Sequence, residues 1–78
     1  PYRVLVVDDE PHLRRLVEVH LTRAGYAVRT AADGEEALQV LRAWEPSVVV
    51  LDVMMPGPSG FEVLARIKDD PATADVLV

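Results

Sequence analysis

The stretch Val48-Val49-Val50-Leu51-Asp52 decides the fold that this sequence predicts. Four apolar residues in a row, followed by residues typical of turns, indicate a β-strand that is buried on both faces. The carboxylate of Asp52 cannot stay inside such a core, so it marks the point at which the strand leaves it. Ligands of open parallel α/β sheets bind outside this carboxyl edge, and we therefore expect a binding site around Asp52.

A second stretch repeats this pattern near the start of the chain, where residues 4–7 (VLVV) are followed by Asp8 and Asp9. If the two strands are neighbours in a parallel sheet, Asp8, Asp9 and Asp52 meet at one edge. Three ionised carboxylates need compensation at short range, and a divalent cation with oxygen ligands, Mg²⁺ or Mn²⁺, supplies it. A carboxylate beside such a cation can act as a nucleophile toward a phosphoryl group. The alternative is that these acids are solvated strand ends and helix caps.

Strand and helix patterns alternate along the whole chain. Asp33 and Glu36 form a capping-box-like pair at the start of the second helix, and Ser59 and Glu62 repeat that spacing before the third. The predicted strands cover residues 2–7, 26–30, 47–51 and 75–78, with one helix in each interval. This β-α-β-α-β-α-β order predicts a doubly wound parallel sheet of the flavodoxin-like α/β class, with helices on both faces.

Length, composition and charge limit the class of protein. The chain has 78 residues, enough for one domain at most, and half of them are hydrophobic. Its 13 acidic and 8 basic residues give a net charge of −5, which disfavours nucleic-acid binding by this segment. The sequence contains no cysteine, which excludes disulfides and fits a reducing cytoplasm. Its apolar runs are too short for a membrane span, and no signal-peptide pattern is present.

Three segments together resemble the receiver domain of bacterial two-component response regulators, a CheY-like domain. They are VLVVDDE at residues 4–10, ADGEEAL at residues 32–38 and LDVMMPGPSG at residues 51–60. An acidic pair after the first strand, combined with a D-x-x-M-P-x-x-x-G run after the third, is a specific signature. The resemblance implies the CheY-like fold and a cytoplasmic signalling protein that turns over no external substrate.

The resemblance also implies a role for individual residues. Asp52 is expected to accept a phosphoryl group from a phosphohistidine of a sensor histidine kinase. Asp9 is expected to bind Mg²⁺ directly, Asp8 to help hold it through water, and Met54 to give it a backbone carbonyl. No further catalytic residue is implied, and Mn²⁺ is an alternative ion.

The same resemblance sets expectations for the extent of the domain. Pro56 and Gly60 are expected to shape the loop over the site. The family has five strands and five helices, so we expect residues 1–78 to be a receiver domain that is incomplete at its C-terminus. The family's Thr or Ser after the fourth strand and its Lys after the fifth lie outside this sequence. Leu13, Leu16 and Leu21 of the first helix are then expected to have little cover.

Alternative functions stay open on the sequence alone. A truncated or half-receiver module would act by self-association through an open sheet edge, without phosphotransfer. A metal-dependent phosphatase with an Asp nucleophile usually has a second acid two residues later, where this chain has Met54. A flavin-binding protein of this fold is disfavoured because Asp8 and Asp9 repel a phosphate. Arg14 and Arg15 are expected to be solvated or to contact a partner.

Overall fold

The structure, a computed structural model, describes residues 2–52, 60–71, 73 and 76. Within them, three strands alternate with three helices, as the sequence predicts. The elements are β1 (Arg3–Val7), α1 (Pro11–Arg23), β2 (Ala27–Ala31), α2 (Gly34–Trp44), β3 (Val48–Leu51) and α3 (Gly60–Asp69). The predicted fourth strand lies outside the described residues except for Val76, which is in a bend and donates its N–H to the carbonyl of Thr73.

The three strands form one parallel sheet in the order β2-β1-β3. Val7, the last residue of β1, lies opposite Ala31 of β2 and Leu51 of β3, so all three strands end at the same level. The ladder continues one residue further, because the N–H of Asp52 donates to the carbonyl of Val7 at 3.0 Å. Asp8 and Asp52 therefore emerge side by side at the carboxyl edge, as expected for neighbouring strands.

The main hydrophobic core lies between the sheet and the pair α2 and α3. Along β1 and β3, alternate side chains point to this face, while α2 and α3 each contribute one apolar stripe. The fully or almost fully buried members of this cluster are Leu5, Val7, Ala31, Ala37, Leu41, Val49, Val63 and Ile67. This core fixes the position of β3 against β1, and with it the position of Asp52.

The opposite face of the sheet is covered only in part. Helix α1 packs on β2 and β1, where it buries Val4 and Val6. Val50 of β3 is 44% exposed on this face, so the prediction that β3 is buried on both faces is wrong. The physical reason is that, among the described residues, α1 does not extend over β3. Leu13 and Leu16 of α1 are 52% and 53% exposed, in agreement with the expected lack of cover, whereas Leu21 is half-buried.

The helix ends are defined by local hydrogen bonds that the sequence signals. Asp33 caps α2 by accepting the N–H of Glu36 at 2.9 Å, and the Glu36 carboxylate accepts the N–H of Ala32 at 3.0 Å. This confirms the capping-box-like pair, while Ser59 lies outside the described residues. After α1, Gly25 adopts φ +99°, a conformation that a glycine reaches without strain and that turns the chain toward β2.

Candidate functional site

Three carboxylates converge at the carboxyl edge of the sheet. Asp8 and Asp9 follow β1, and Asp52 follows β3. Each offers one oxygen, and the three oxygens all lie within 4.8 Å of one another. Asp8 and Asp52 are half-buried and Asp9 is exposed, so solvent and a ligand can reach the cluster. The predicted convergence of these residues is confirmed.

The short loop between β1 and α1 is held by hydrogen bonds at Asp8. The Asp8 N–H continues the sheet by donating to the carbonyl of Ala31 at 3.2 Å. The Asp8 carboxylate accepts the N–H of Glu10 at 2.9 Å, which closes a tight turn around Asp9. The Asp8 carbonyl accepts a hydrogen bond from Nη1 of Arg14 at 2.9 Å. Hydrogen bonds to the sheet and to α1 therefore hold the loop that carries the two carboxylates.

Glu10, the third acid of this run, points away from the cluster and caps α1. Its Oε2 accepts the N–H of Leu13 at 2.7 Å, and this hydrogen bond lowers the pKa of Glu10 below its ordinary value. Pro11 follows as the first helical residue, where its missing N–H leaves no donor unpaired. The sequence marked the position of this cap through Pro11, but glutamate is not among the usual N-cap residues, so the cap itself was not predicted.

The donor set of the cluster fits a hard divalent cation. All three side chains are carboxylates, and among the residues that the structure describes no nitrogen or sulfur ligand joins them. Three such groups at this separation repel one another when ionised, and a bound cation removes the repulsion. Mg²⁺ is usually held by a few carboxylates with water and phosphate oxygens filling the other positions, and Mn²⁺ accepts the same ligands. The residues present are therefore suited to either ion.

The other predicted site residues have different outcomes. Gly60 is buried and is the first residue of α3. Met54 and Pro56 lie outside the described residues. Arg15 is exposed and pairs with Glu18 at 2.9 Å, as expected for a solvated charge. Its neighbour Arg14 is half-buried and bonded to the loop of the cluster, which was not predicted.

Trp44 lies at the other end of the sheet and has a packing role. Its carbonyl, at the end of α2, accepts a hydrogen bond from Nη1 of Arg3 at 2.7 Å. The guanidinium groups of Arg3 and Arg29 lie 5.9 and 5.2 Å from the centre of the indole ring. These cation–π contacts tie α2 to β1 and β2 and take no part in the acidic site.

The described helices include none that is long and apolar enough to cross a membrane. The longest of them, α1, has 13 residues, well short of the roughly 20 that a span needs.

Comparison with known proteins identifies a family that matches nearly the whole chain. A family model described as "Response regulator receiver domain" matches residues 4–78. A probable transcriptional regulator, ycf27, of Pyropia yezoensis is 52% identical over 68 residues. That alignment covers 87% of this chain and 28% of the relative, so the chain spans less than a third of the length of this protein.

Solved structures show the same fold. The N-terminal domain of a response regulator receiver protein from Methanoculleus marisnigri superposes with a TM-score of 0.94 at 48% identity, covering 96% of this chain and 61% of that one. The response regulator TrrA of Thermotoga maritima, solved with Mg²⁺ and BeF, gives a TM-score of 0.84 at 45% identity, covering 88% and 60%. TrrA has also been solved in complex with the histidine kinase ThkA, with a TM-score of 0.84 at 44% identity over 90% and 60%.

Proposed function

This chain belongs to the response regulator receiver domain family, and from that premise we propose that it is the phosphoacceptor of a two-component signalling system. Receiver domains are signalling modules rather than enzymes with an external substrate. The observation that carries the proposal is the convergence of Asp8, Asp9 and Asp52, whose carboxylate oxygens lie within 4.8 Å of one another. Asp52 is the residue that we assign as the phosphorylation site.

The proposed transfer is a single displacement at phosphorus. A carboxylate oxygen of Asp52 attacks the phosphoryl group of a phosphohistidine on a sensor histidine kinase. The new P–O bond forms as the P–N bond breaks, and the electron pair leaves with the imidazole nitrogen. Asp9 and Asp52 would bind Mg²⁺ or Mn²⁺ directly, Asp8 would hold it through water, and Met54 would contribute its carbonyl. The bound ion supplies the positive charge that offsets the negative charge of the site and of the phosphoryl oxygens.

The return reaction completes the proposed cycle. A water molecule attacks phosphorus, the P–O bond to Asp52 breaks, and inorganic phosphate leaves. Asp52 then regains its free carboxylate, so the domain catalyses only its own phosphorylation and dephosphorylation. The half-buried position of Asp52 supports this proposal, because water can reach the phosphorylated side chain. In this mechanism Pro56 and Gly60 shape the loop over the site.

The extent and the location of the domain are also proposed. We assign residues 1–78 to a receiver domain, in line with the family model that matches residues 4–78. The cytoplasm is its proposed location, because the ATP that charges a histidine kinase is present there. The net charge of −5 supports the view that this segment itself does not bind nucleic acid or a membrane.

Intact-mass spectrometry with acetyl phosphate and Mg²⁺ tests the phosphoacceptor role. We expect the protein to gain the mass of one phosphoryl group, and to gain nothing when EDTA removes the ion. Asp52→Asn should abolish the gain. Asp33→Asn is the matched control, because it makes the same change at an exposed helix cap and should leave the gain intact. A gain that survives in Asp52→Asn would refute the assignment.

Self-association is the second candidate, and the poorly covered face of the sheet favours it. Leu13, Leu16 and Val50 are exposed apolar side chains, and β3 is at the edge of the described sheet; such features pair readily with another chain. A module that works in this way alone would sediment as a dimer and would remain unlabelled by acetyl phosphate. A monomeric protein that is phosphorylated at Asp52 would eliminate this candidate.

A further inference from the structure

We propose that Arg14 is a positioning residue that holds the two N-terminal carboxylates of the site in their metal-binding arrangement. This inference rests on the proposed function, because it assigns a role toward the same ion. Its physical basis is the hydrogen bond of 2.9 Å from Nη1 of Arg14 to the carbonyl of Asp8. Arg14 is on the first turn of α1, while Asp8 follows β1, so the bond joins the helix to the acidic loop.

The carbonyl that Arg14 contacts belongs to the peptide group between Asp8 and Asp9. A peptide group is planar, so fixing the direction of its carbonyl also fixes the direction of the adjacent N–H and of both flanking Cα atoms. The carboxylates of Asp8 and Asp9 extend from those two Cα atoms. One hydrogen bond therefore restricts the relative placement of two of the three acidic groups in the cluster.

The hydrogen bond from Arg14 counteracts the electrostatic repulsion between the carboxylates of the site. Without a cation the three carboxylates repel one another, and reorientation of the Asp8–Asp9 peptide is one of the movements that would separate them. The guanidinium of Arg14 is a charged donor, and hydrogen bonds of this kind are stronger than those between neutral groups. Arg14 is half-buried, which limits the competition of water for the Asp8 carbonyl. Holding the loop in place before the ion arrives lowers the cost of binding.

Arg15 provides a matched control within the same helix. It carries the same charge one residue further on, but it is exposed and pairs with Glu18 instead of with the loop. Replacing either arginine by methionine removes one positive charge and keeps an unbranched side chain. A difference between the two variants therefore reports the hydrogen bond to Asp8 rather than the net charge of α1.

The experiment measures Mn²⁺ binding directly, by the loss of the electron paramagnetic resonance signal of free Mn²⁺. For Arg14→Met we expect the dissociation constant to rise about tenfold, the range typical of residues that orient metal ligands. Arg15→Met should stay within about twofold of the unmodified protein. Arg14→Lys should recover part of the affinity, because an ammonium group can also donate to a single carbonyl.

Several results would overturn the inference. One is an unchanged affinity in Arg14→Met, even if its Tm falls, since that would make Arg14 a purely structural residue. Equal losses in Arg14→Met and Arg15→Met would attribute the effect to net charge. If Arg14→Met does not fold, Arg14→Gln replaces it with the same expected loss, because its side chain ends two heavy atoms short of Nη1.

The binding measurement also separates this inference from the proposed function. If the protein binds Mn²⁺ but is not phosphorylated by acetyl phosphate, the phosphoacceptor role fails, and the role of Arg14 is still decided by the affinities of the variants. If the unmodified protein binds no Mn²⁺, the role of Arg14 is refuted as well.

Discussion

The two faces of the sheet are built from the same three strands but are covered to very different degrees. On the face of α2 and α3, Leu41 and Val49 are 1% and 2% exposed, and the surrounding side chains are buried with them. On the face of α1, Leu16 is 53% and Val50 44% exposed. The hydrophobic stabilisation of the described structure therefore comes mainly from one face. The other face keeps apolar surface available for a further contact.

The two faces of the sheet also contribute differently to the acidic site. The face of α2 and α3 holds β3 against β1, and so keeps Asp52 beside Asp8. The face of α1 carries the residues that adjust the loop after β1, namely the cap at Glu10 and the donor at Arg14. We infer that substitutions on the first face act on stability, whereas a substitution of Arg14 acts mainly on the site.

The largest expected effect comes from a matched pair of leucine truncations on the two faces. Leu41→Ala should lower the free energy of unfolding by about 3 kcal/mol, because it leaves a cavity in a closed core. Leu16→Ala should lower the free energy of unfolding by less than about 1 kcal/mol, because the Leu16 side chain is already about half exposed to solvent. Urea unfolding of both variants measures the difference. A domain of this size has a total stability on the order of 5–10 kcal/mol, so Leu41→Ala removes a large share of it.

If Leu16→Ala lowered the free energy of unfolding as much as Leu41→Ala does, the proposed difference between the two faces of the sheet would be wrong. It would mean that Leu16 is buried in solution by another part of the protein or by a second copy. Repeating the measurement at several protein concentrations separates these two cases, because only a second copy makes the cost depend on concentration.

A smaller effect is expected from two adjacent residues of β3. Val49→Ala should cost about 2 kcal/mol, the sum of two lost methyl contacts and a small cavity. Val50→Ala should cost less than about 1 kcal/mol. The two changes lower β-propensity in the same strand by a similar amount, so their difference isolates burial. The measurement is the shift in urea midpoint, and equal shifts would show that both faces of β3 are covered.

The sequence predicted the order of the elements and the meeting of the three aspartates. It did so because strand and helix periodicities differ, and because parallel strands end at a common edge. It did not predict the exposure of Val50. A run of four apolar residues has the same character on both faces, so it cannot indicate which face lacks a covering helix.

The sequence also could not predict the side-chain contacts between helices and strands. Arg14 and Arg15 are adjacent and chemically identical, and only the direction of each side chain from α1 decides which one reaches the acidic loop. The stacking of Arg3 and Arg29 on Trp44 likewise depends on the register of β1 and β2. Local caps are different, because the spacing of Asp33 and Glu36 predicted the cap of α2 from the sequence alone.

The smallest expected effect concerns the cap of α1 and its dependence on pH. The Leu13 N–H lowers the pKa of Glu10 from its ordinary value of 4.5, so near that pH the unfolded chain binds more protons at this residue than the folded one. The stabilising contribution of the ionised cap is therefore complete above pH 4.5 and is lost as the pH falls through the lower, folded-state pKa. The bond is exposed, so solvent limits its strength.

Glu10→Gln tests this dependence, because glutamine keeps an acceptor but does not ionise. The difference in unfolding free energy between the protein and this variant should be constant from neutral pH down to about pH 5 and should shrink below it. Urea unfolding at a series of pH values measures both chains, and the titration of the other acids cancels in the difference. Since α1 has no buried residue, its cap is one of the few contacts that hold the helix start. A difference independent of pH would show that the charge of Glu10 does not stabilise α1.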